Sequence, residues 1–240
     1  MNLSQGPEPE FIKGLFGSIA NGYDLANDLM TFGLARAWRR KLVRWSEAKA
    51  GQKILDCATG TGDLAFEFKR AVGPQGSVIG SDFCPEMLAR APVKSRELNL
   101  PVEFVVQDAT QLPYANHSFD IASIAFGLRN INEPQKALQE MARVTRPEGW
   151  VMILETGDGR IPILSTLIQF YFFFIVPLIG GWVTGKKSAY QYLSQSSQSF
   201  PGNKRFLKLM QDTAAFSHCE CCSLLGGAAY LYRGKVRNRE

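Results

Sequence analysis

The chain has 240 residues, of which 45% are hydrophobic, and carries a formal net charge of +5 with a pI near 9.0. A chain of this size can bury one large core, and its ordinary composition excludes a disordered protein and a disulfide-rich scaffold. The basic balance is compatible with nucleic acid or an anionic membrane surface. No zinc finger, RRM or helix-turn-helix pattern accompanies it, so we expect no nucleic-acid partner.

The start of the chain is polar and carries two prolines, and it shows no signal-peptide pattern. We expect a flexible tail over residues 1–10 and a single domain over residues 11–240. Apolar residues recur at helical spacing among arginines and lysines, which predicts an amphipathic helix in the N-terminal helical segment, residues 11–50. The residues that carry this pattern are Leu34, Trp38, Leu42 and Trp45.

Residues 51–156 alternate short apolar runs with helical segments, which predicts a parallel sheet covered by helices on both faces. The predicted strands are Lys53–Ala58, Ser77–Asp82, Val102–Gln107, Phe119–Phe126 and Trp150–Glu155. The predicted helices are Leu64–Ala71, Pro85–Glu97 and Glu133–Thr145. Pro92 is expected to kink or shorten the second of these helices.

An uncharged run, Ile161–Val183, has about the length of a transmembrane helix, which needs roughly 20 apolar residues. Pro177 and two glycines interrupt this run, and Gln169 lies within it. The run also precedes two further predicted strands, so it lies inside the domain. We therefore interpret residues 157–202 as a cap insertion with a buried or membrane-facing helix, and not as a membrane span.

The last segment, residues 203–240, is predicted to supply a helix and the strands His218–Leu225 and Ala228–Tyr232. It contains three of the five cysteines, in the run His218-Cys219-Glu220-Cys221-Cys222. The odd number of cysteines and the lack of a signal peptide favour reduced thiols in the cytoplasm. Zinc sites draw on a second pair of ligands, which this sequence lacks, and successive strand side chains point to opposite faces. We interpret the run as an edge strand and predict no metal site.

The most specific motif is the run from Asp56 to Asp63, DCATGTGD, at the end of the first core strand. Glycines at such a position let the backbone turn sharply and approach a ligand closely. Asp82 ends the second strand, where a carboxylate can hold ribose hydroxyls, and Asp108 follows the third, where one can accept the adenine amino group. The acidic residues at three strand ends, Asp56, Asp82 and Asp108, predict a nucleoside-containing cofactor at this edge of the sheet.

Two cofactors fit this motif, because Gly60–Ala65 also matches the dinucleotide pattern G-x-G-x-x-G/A. A dinucleotide would place its pyrophosphate at the helix N-terminus. Asp63 lies there and Asp56 just before it, and both would repel an anion. They suit the ammonium and sulfonium of S-adenosylmethionine, although Asp63 could instead be a helix N-cap residue. The charge pattern therefore favours S-adenosylmethionine over a dinucleotide oxidoreductase.

Between Phe16 and Tyr232 the chain resembles the menaquinone/ubiquinone biosynthesis C-methyltransferase family. The residues that carry the resemblance are the glycine motif above, residues 23–38 (YDLANDLMTFGLARAW), Phe126-Gly127-Leu128-Arg129-Asn130, residues 143–150 (RVTRPEGW), Pro177–Gly180 and Ala189–Leu193. The resemblance implies a Rossmann-like class I methyltransferase fold of the α/β class. Its mostly parallel, seven-stranded sheet would carry helices on both faces, N-terminal helices and a helical cap insertion.

The resemblance also implies which residues bind the cofactor, and it implies no metal. The predicted cofactor-binding residues are Asp56, Gly60, Thr61, Gly62, Asp82, Phe83, Asp108, Ala109 and Ala125. The chain departs from the family at four positions, where the family usually has Met, His, Ser and Gly. These positions are Ala26, Ala35, Ala125 and Glu148.

The reaction that the resemblance implies is methyl transfer from S-adenosylmethionine to a ring carbon of a reduced isoprenoid quinone precursor. This would be demethylmenaquinol or a polyprenyl methoxy-benzoquinol. Positioning does most of the catalysis, and a ring hydroxyl must be ionised. The catalytic candidates are Tyr23, Asp24, Arg129, Asn130 and Tyr190. Arg129 keeps its proton and would stabilise the phenolate electrostatically, unless it only pairs with a neighbouring carboxylate.

Two alternatives stay open: a methyltransferase for another lipophilic phenol or polyprenyl compound, and a silent scaffold in a quinone-synthesis complex. The expected partners are a prenylated quinol, a second copy in a homodimer, and the inner face of the cytoplasmic membrane, contacted peripherally. The aromatic-rich run Ile163–Val176 and the basic helix Arg36–Arg44 would make the membrane contact.

Overall fold

The computed structural model describes residues 6–157, 171–200 and 202–238, with only the backbone of residues 172, 173, 198 and 199. Its centre is a seven-stranded sheet in the order β3-β2-β1-β4-β5-β7-β6. The strands are β1 (Lys53–Cys57), β2 (Ser77–Asp82), β3 (Glu103–Val106), β4 (Phe119–Ala125), β5 (Thr145–Thr156), β6 (Phe216–Leu224) and β7 (Ala229–Val236). Neighbouring strands among β1 to β5 pair in parallel, and β7 pairs antiparallel with β5 and β6. The predicted sheet is confirmed.

Both faces of the sheet are buried, because successive apolar residues of a strand point to opposite sides. In β1, Leu55 belongs to one core and Ile54 to the other. The first core is closed by α7 (Pro134–Val144) and α10 (Asn203–Asp212), and the second by α3 (Leu34–Trp45) and α4 (Asp63–Val72). The amphipathic helix predicted around Trp38 and Leu42 is therefore α3.

The helix predicted over Pro85–Glu97 is divided into α5 (Pro85–Leu88) and α6 (Ala91–Leu98). Pro92 lies in the first turn of α6, where a missing backbone N–H costs little. The predicted effect of Pro92 is therefore confirmed. β5 begins five residues earlier than Trp150, where its prediction began, because Thr145 pairs with Phe119 before a register shift.

The predicted N-terminal tail, residues 1–10, overlaps the first helix by two residues. Helix α1 (Pro9–Ile19) begins inside it, with Pro9 in the first turn, a position for which the fixed φ of proline is suited. Before α1, the amide of Gly6 donates a hydrogen bond of 2.6 Å to the carbonyl of Asn132. Residues 1–5 lie outside the described residues.

The cap consists of a π-helical turn, Tyr171–Ile175, followed by α8 (Val176–Thr184) and α9 (Lys187–Ser199). It packs on α1 and on α2 (Tyr23–Thr31) through one cluster of buried side chains. Tyr190 is buried in that cluster, directly against Gly180. Most of the run Ile163–Val176 lies outside the described residues. Within the described ranges, no helix is long and apolar enough to cross a membrane.

Candidate active site

A cavity of about 170 Å³ lies over the carboxyl ends of the parallel strands. Such an edge is where open α/β sheets bind ligands. Helix α1 covers one side of this cofactor cavity with Pro9, Ile12 and Phe16. Six of the nine predicted cofactor residues line it, namely Gly60, Asp82, Phe83, Asp108, Ala109 and Ala125.

Asp82 ends β2 and joins the glycine loop to the next loop. Its Oδ2 accepts a hydrogen bond of 2.7 Å from the amide of Gly60, and its Oδ1 accepts one of 2.8 Å from the amide of Cys84. Gly60 has a φ of +57°, which glycine adopts without the penalty of a side chain. Burial raises the pKa of Asp82 to about 6, although the amide donors oppose this shift.

Three other acceptors face the cofactor cavity. Asp108 is exposed, and its Oδ1 accepts 2.8 Å hydrogen bonds from the amide and hydroxyl of Thr110. Gln107 Oε1 and Asn132 Oδ1 are buried and have no hydrogen-bond partner among the described residues. Buried acceptors need donors, and the adenine amino group and ammonium of S-adenosylmethionine are donors. The cavity therefore fits this cofactor.

Three predicted cofactor residues support the glycine loop and do not line the cavity. Asp56 is buried, and its carboxylate accepts 2.7 Å hydrogen bonds from the hydroxyls of Thr59 and Ser123. Burial raises the pKa of Asp56 to about 7. The Thr61 hydroxyl donates to Asp24 Oδ1 at 2.6 Å, and a Cβ on Gly62 would lie 3.0 Å from the ring of Phe104. The structure thus places Asp56, Thr61 and Gly62 in and beside the glycine loop and outside the lining of the cavity, and their direct contact with the cofactor stays a prediction.

The prediction that the charge of Asp63 would repel an anionic ligand is wrong. Its carboxylate pairs with Arg39 Nη1 at 3.0 Å and with Lys94 Nζ at 2.6 Å. Burial alone would raise the pKa of Asp63, but Arg39 and Lys94 outweigh it and hold that pKa below its ordinary value. The N-cap residue of α4 is Gly62, so Asp63 is not a cap either. Because two cations neutralise Asp63, its charge does not exclude an anionic ligand.

A second cavity, of about 290 Å³, adjoins the cofactor cavity and shares Phe126 with it. Phe126 has a left-handed backbone, φ +58°, and its amide donates a 2.7 Å hydrogen bond to the carbonyl of Leu154. The walls of this acceptor cavity are mostly apolar and come from α2, α3 and the cap. They include Met30, Phe32, Trp38, Tyr171, Val176 and Leu193.

Arg129 and Thr156 are among the polar residues that line the acceptor cavity, and Arg129 pairs with the buried Glu155 behind it. Arg129 Nη1 donates to Glu155 Oε2 at 2.6 Å, and the Arg129 amide donates to Glu155 Oε1 at 3.2 Å. Both side chains of the pair are buried. Arg129 Nε and Thr156 Oγ1 are also buried, with no hydrogen-bond partner in the described part of the chain. Two polar groups of residues that line this mostly apolar cavity thus lack partners among the described residues.

The other catalytic candidates are placed differently. Asn130 lines the cofactor cavity, and its Oδ1 accepts a 3.3 Å hydrogen bond from the hydroxyl of Tyr192. Tyr23, Asp24 and Tyr190 line neither cavity. Asp24 accepts a hydrogen bond of 2.8 Å from Lys94, which ties α2 to α6. Burial raises the pKa of Tyr23 and raises that of Tyr190 to about 12, so both phenols stay protonated at neutral pH. The catalytic roles of these three residues stay predictions, and the structure places their side chains outside the lining of both cavities.

Four site residues were missed by the sequence analysis: Gln107, Asn132, Glu155 and Thr156. Glu155 could have been found from the sequence, since a charged residue near the end of a buried apolar strand needs a partner. Gln107 adjoins Asp108 but is uncharged, and nothing in the sequence distinguishes Asn132. The cysteine-containing run lies in β6, which is the predicted edge strand. Within the described ranges, no group of three or more potential ligands is placed to hold a metal ion.

Gly127 should be intolerant of any side chain. A Cβ on Gly127 would lie 2.5 Å from the Cβ of Ala58, and both residues line the cofactor cavity. We expect Gly127→Ala to lower the free energy of unfolding by about 1–3 kcal/mol and to weaken cofactor binding. Denaturant unfolding measures the first effect. Gly14→Ala is the control: no atom lies within 4 Å of the added methyl, and a helical glycine costs about 1 kcal/mol, so this variant should be slightly stabilised. Equal stability of both variants would contradict the close approach.

Cofactor affinity should depend on pH through Asp82. Ligand hydroxyls donate to the ionised carboxylate, so binding favours the charged form. The pKa of Asp82 is about 6, and affinity should therefore be constant well above pH 6. Below pH 6 it should fall, approaching about tenfold per pH unit. Calorimetric titrations across this range measure the effect. The Asp82→Asn variant should bind the cofactor weakly, and its affinity should depend little on pH. If the pH dependence is unchanged in this variant, another group, such as Asp56, causes it.

Solved structures share this fold. The crystal structure of a SAM dependent methyltransferase from Aquifex aeolicus matches with a TM-score of 0.57 at 18% identity, covering 96% of this chain and 99% of that one. The [4+2]-cyclase SpnF matches with a TM-score of 0.64 at 16% identity, covering 98% and 99%. At these identities the likeness shows the fold alone. Together with the cofactor cavity, the fold defines the class of Rossmann-like α/β domains that bind a cofactor at the carboxyl edge of the sheet.

The sequence places the chain within that class. A model of the ubiE/COQ5 methyltransferase family matches residues 4–235, so the chain belongs to this family. The ubiquinone/menaquinone biosynthesis C-methyltransferase UbiE of Bdellovibrio bacteriovorus is 52% identical over 234 residues, covering 98% of this chain and 99% of that protein. The protein of the same name from Psychromonas ingrahamii is 38% identical, covering 97% and 93%. The chain is an S-adenosylmethionine-dependent C-methyltransferase.

Proposed function

We propose that the protein methylates a ring carbon of a reduced isoprenoid quinone precursor, with demethylmenaquinol as the first candidate and a polyprenyl methoxy-benzoquinol as the second. One observation carries the proposal. An apolar cavity adjoins the cofactor cavity and is lined by Arg129 and Thr156, whose buried Nε and Oγ1 atoms have no hydrogen-bond partner among the described residues. A flat, apolar ring with a hydroxyl would fill the cavity and satisfy these groups.

The names of the relatives support the quinone class but include both ring types. The cavity walls favour the naphthoquinol. They are formed mainly by aliphatic and aromatic side chains, and a fused aromatic ring buries more apolar surface there than a methoxy-substituted ring.

S-adenosylmethionine supplies an electrophilic methyl group on a sulfonium, which already activates its leaving group. Asp82, Asp108, Gln107 and Asn132 would hold the cofactor from the strand ends. Phe126 lies where the two cavities meet, so the acceptor ring would stack near it and face the methyl group. Catalysis then rests on positioning and on ionisation of a ring hydroxyl.

Arg129 is suited to that ionisation as a fixed positive group. Its guanidinium does not give up a proton, so it cannot be the base. Nε would donate to the ring oxygen and stabilise the phenolate, while the hydroxyl proton leaves to water. The phenolate would push electron density onto the adjacent carbon, which would bond to the methyl group as the sulfur–methyl bond breaks and S-adenosylhomocysteine leaves. The same carbon would then lose its proton to water and restore the aromatic ring. Glu155 holds the guanidinium in place.

Competition between the two candidate acceptors tests the proposal. The two acceptors are demethylmenaquinol and the methoxy-benzoquinol that lacks the ring methyl group, and both carry the same short prenyl tail. They are offered together with labelled S-adenosylmethionine. We expect kcat/KM to be at least about tenfold higher for the naphthoquinol, which corresponds to 1.4 kcal/mol. In its host, deletion of the protein should make demethylmenaquinone accumulate. If kcat/KM is equal for the two acceptors or higher for the benzoquinol, the naphthoquinol is not the preferred substrate. If the protein methylates neither acceptor, the proposed substrate class is wrong.

A further inference from the structure

The most exposed apolar side chains of the described chain include two helical stripes. Helix α2 exposes Leu25 and Leu29, and its C-cap residue Phe32 is 79% exposed. The π-helical turn and α8 expose Phe174, Leu178 and Trp182, of which Trp182 is 86% exposed. Residues spaced by three or four lie on one side of a helix, so each set forms a continuous stripe.

The two helices are antiparallel neighbours. At one end the hydroxyl of Tyr171 donates a 2.8 Å hydrogen bond to the carbonyl of Met30. At the other end Gly22 lies against Thr184. Phe32 and Leu225 are exposed and also line the acceptor cavity, so the exposed surface continues into that cavity. We call this surface the docking face; it consists of Leu25, Leu29, Phe32, Phe174, Leu178, Trp182 and Leu225.

The charges around the docking face are mostly positive. Lys186 and Lys187 are exposed just after α8. Residues 171–199 contain no acidic residue. The two aspartates of α2 are paired, Asp24 with Lys94 and Asp28 with Arg36. An apolar face with a basic border matches an anionic lipid surface, whereas two such faces would repel each other at their borders.

We propose that the docking face rests on an anionic phospholipid bilayer and that the methyl acceptor enters its cavity from that bilayer between Phe32 and Leu225. The route for the acceptor rests on the proposed function, because only a prenylated acceptor is dissolved in lipid. The docking itself rests on the exposed stripes and the basic border. Binding is peripheral: apolar side chains enter the interface and the basic residues lie among the headgroups.

Flotation with vesicles tests the docking. The full chain is mixed with vesicles of phosphatidylcholine and phosphatidylglycerol, and the bound fraction is measured at low and high salt. The wild-type protein should float, and salt should weaken its binding. The double variant Leu178→Ser, Trp182→Ser should lower the partition coefficient at least about tenfold. The control is Val93→Ser, Leu98→Ser on α6, where the residues are 45% and 44% exposed; it should bind like the wild type.

Two further measurements separate this proposal from the proposed function. The Leu178, Trp182 variant should methylate a short-chain quinol in buffer at the wild-type rate and lose activity on a long-chain quinol in vesicles. If the wild type methylates neither quinol, the proposed function fails and flotation alone decides the docking. Flotation of the variant at the wild-type level would overturn the proposal. Light scattering that shows a wild-type dimer, dissociated by the two substitutions, would also overturn it by making this face an interface between copies.

Discussion

Arg129→Ala is expected to lower kcat by about 10²–10³, because it removes the group that stabilises the phenolate in a mostly apolar cavity. The same substitution leaves Glu155 buried and negatively charged without its cation. Breaking a buried pair in this way costs about 3–5 kcal/mol of folding free energy. Turnover and denaturant unfolding must therefore be measured on the same preparation, since loss of activity alone could reflect unfolding.

A double variant separates the two effects. In Arg129→Gln, Glu155→Gln, the charge of both partners is removed and the carboxamides can bond to each other. We expect this variant to recover most of the lost stability without recovering turnover. S-adenosylmethionine should bind it nearly as well as the wild type, because Arg129 does not line the cofactor cavity. Wild-type turnover by the double variant would show that Arg129 is only a structural partner of Glu155.

Asp82→Ala should raise the dissociation constant of S-adenosylmethionine by about 10² or more. The carboxylate faces the cofactor cavity at the end of β2, and each hydrogen bond to a charged group contributes roughly 1.5–3 kcal/mol. The substitution also releases the amides of Gly60 and Cys84, so the glycine loop loses part of its order. Isothermal titration calorimetry on the folded variant measures the effect.

Asp56→Asn is the matched control, since Asp56 carries the other raised carboxyl pKa in the glycine-loop region. A carboxamide can still accept from Thr59 or Ser123, and the side chain does not line the cavity. Cofactor affinity should therefore stay within about threefold of the wild type, because the acceptor oxygen is retained. If Asp56→Asn weakens binding as much as Asp82→Ala does, the supporting position of Asp56 is incorrect.

The sheet and the position of its cofactor edge could be predicted because they depend on local patterns. Apolar runs of strand length alternate with helical segments, and Gly60 and Asp82 follow strands in the positions where ligands bind. The roles of Asp56 and Asp63 could not be predicted. Asp56 accepts a hydrogen bond from Ser123, which lies 67 residues further along the chain. Asp63 forms ion pairs with cations from two other helices. Local sequence does not specify such partners.

The acceptor cavity shows the same limit. The motif around Arg129 indicated its importance, but its partner Glu155 ends a different strand, and the ion pair forms only when β4 and β5 align. Tyr190 lies in a segment that resembles the family, which made it a catalytic candidate. Tyr190 packs on Gly180 within the cap, a contact that the sequence did not predict. A sequence motif thus indicated that these residues matter without distinguishing contact with a ligand from support.

The position of the transferred methyl group tests the central claim most directly. The purified protein is incubated with S-adenosylmethionine labelled with ¹³C in its methyl group and with short-chain demethylmenaquinol, and the product is examined by NMR. The two-cavity arrangement predicts a single label in a methyl group on the ring carbon next to the hydroxyl that Arg129 contacts, and no such product from the Arg129, Glu155 double variant. A label found on a ring oxygen, or no transfer by a folded protein that binds the cofactor, would contradict the account.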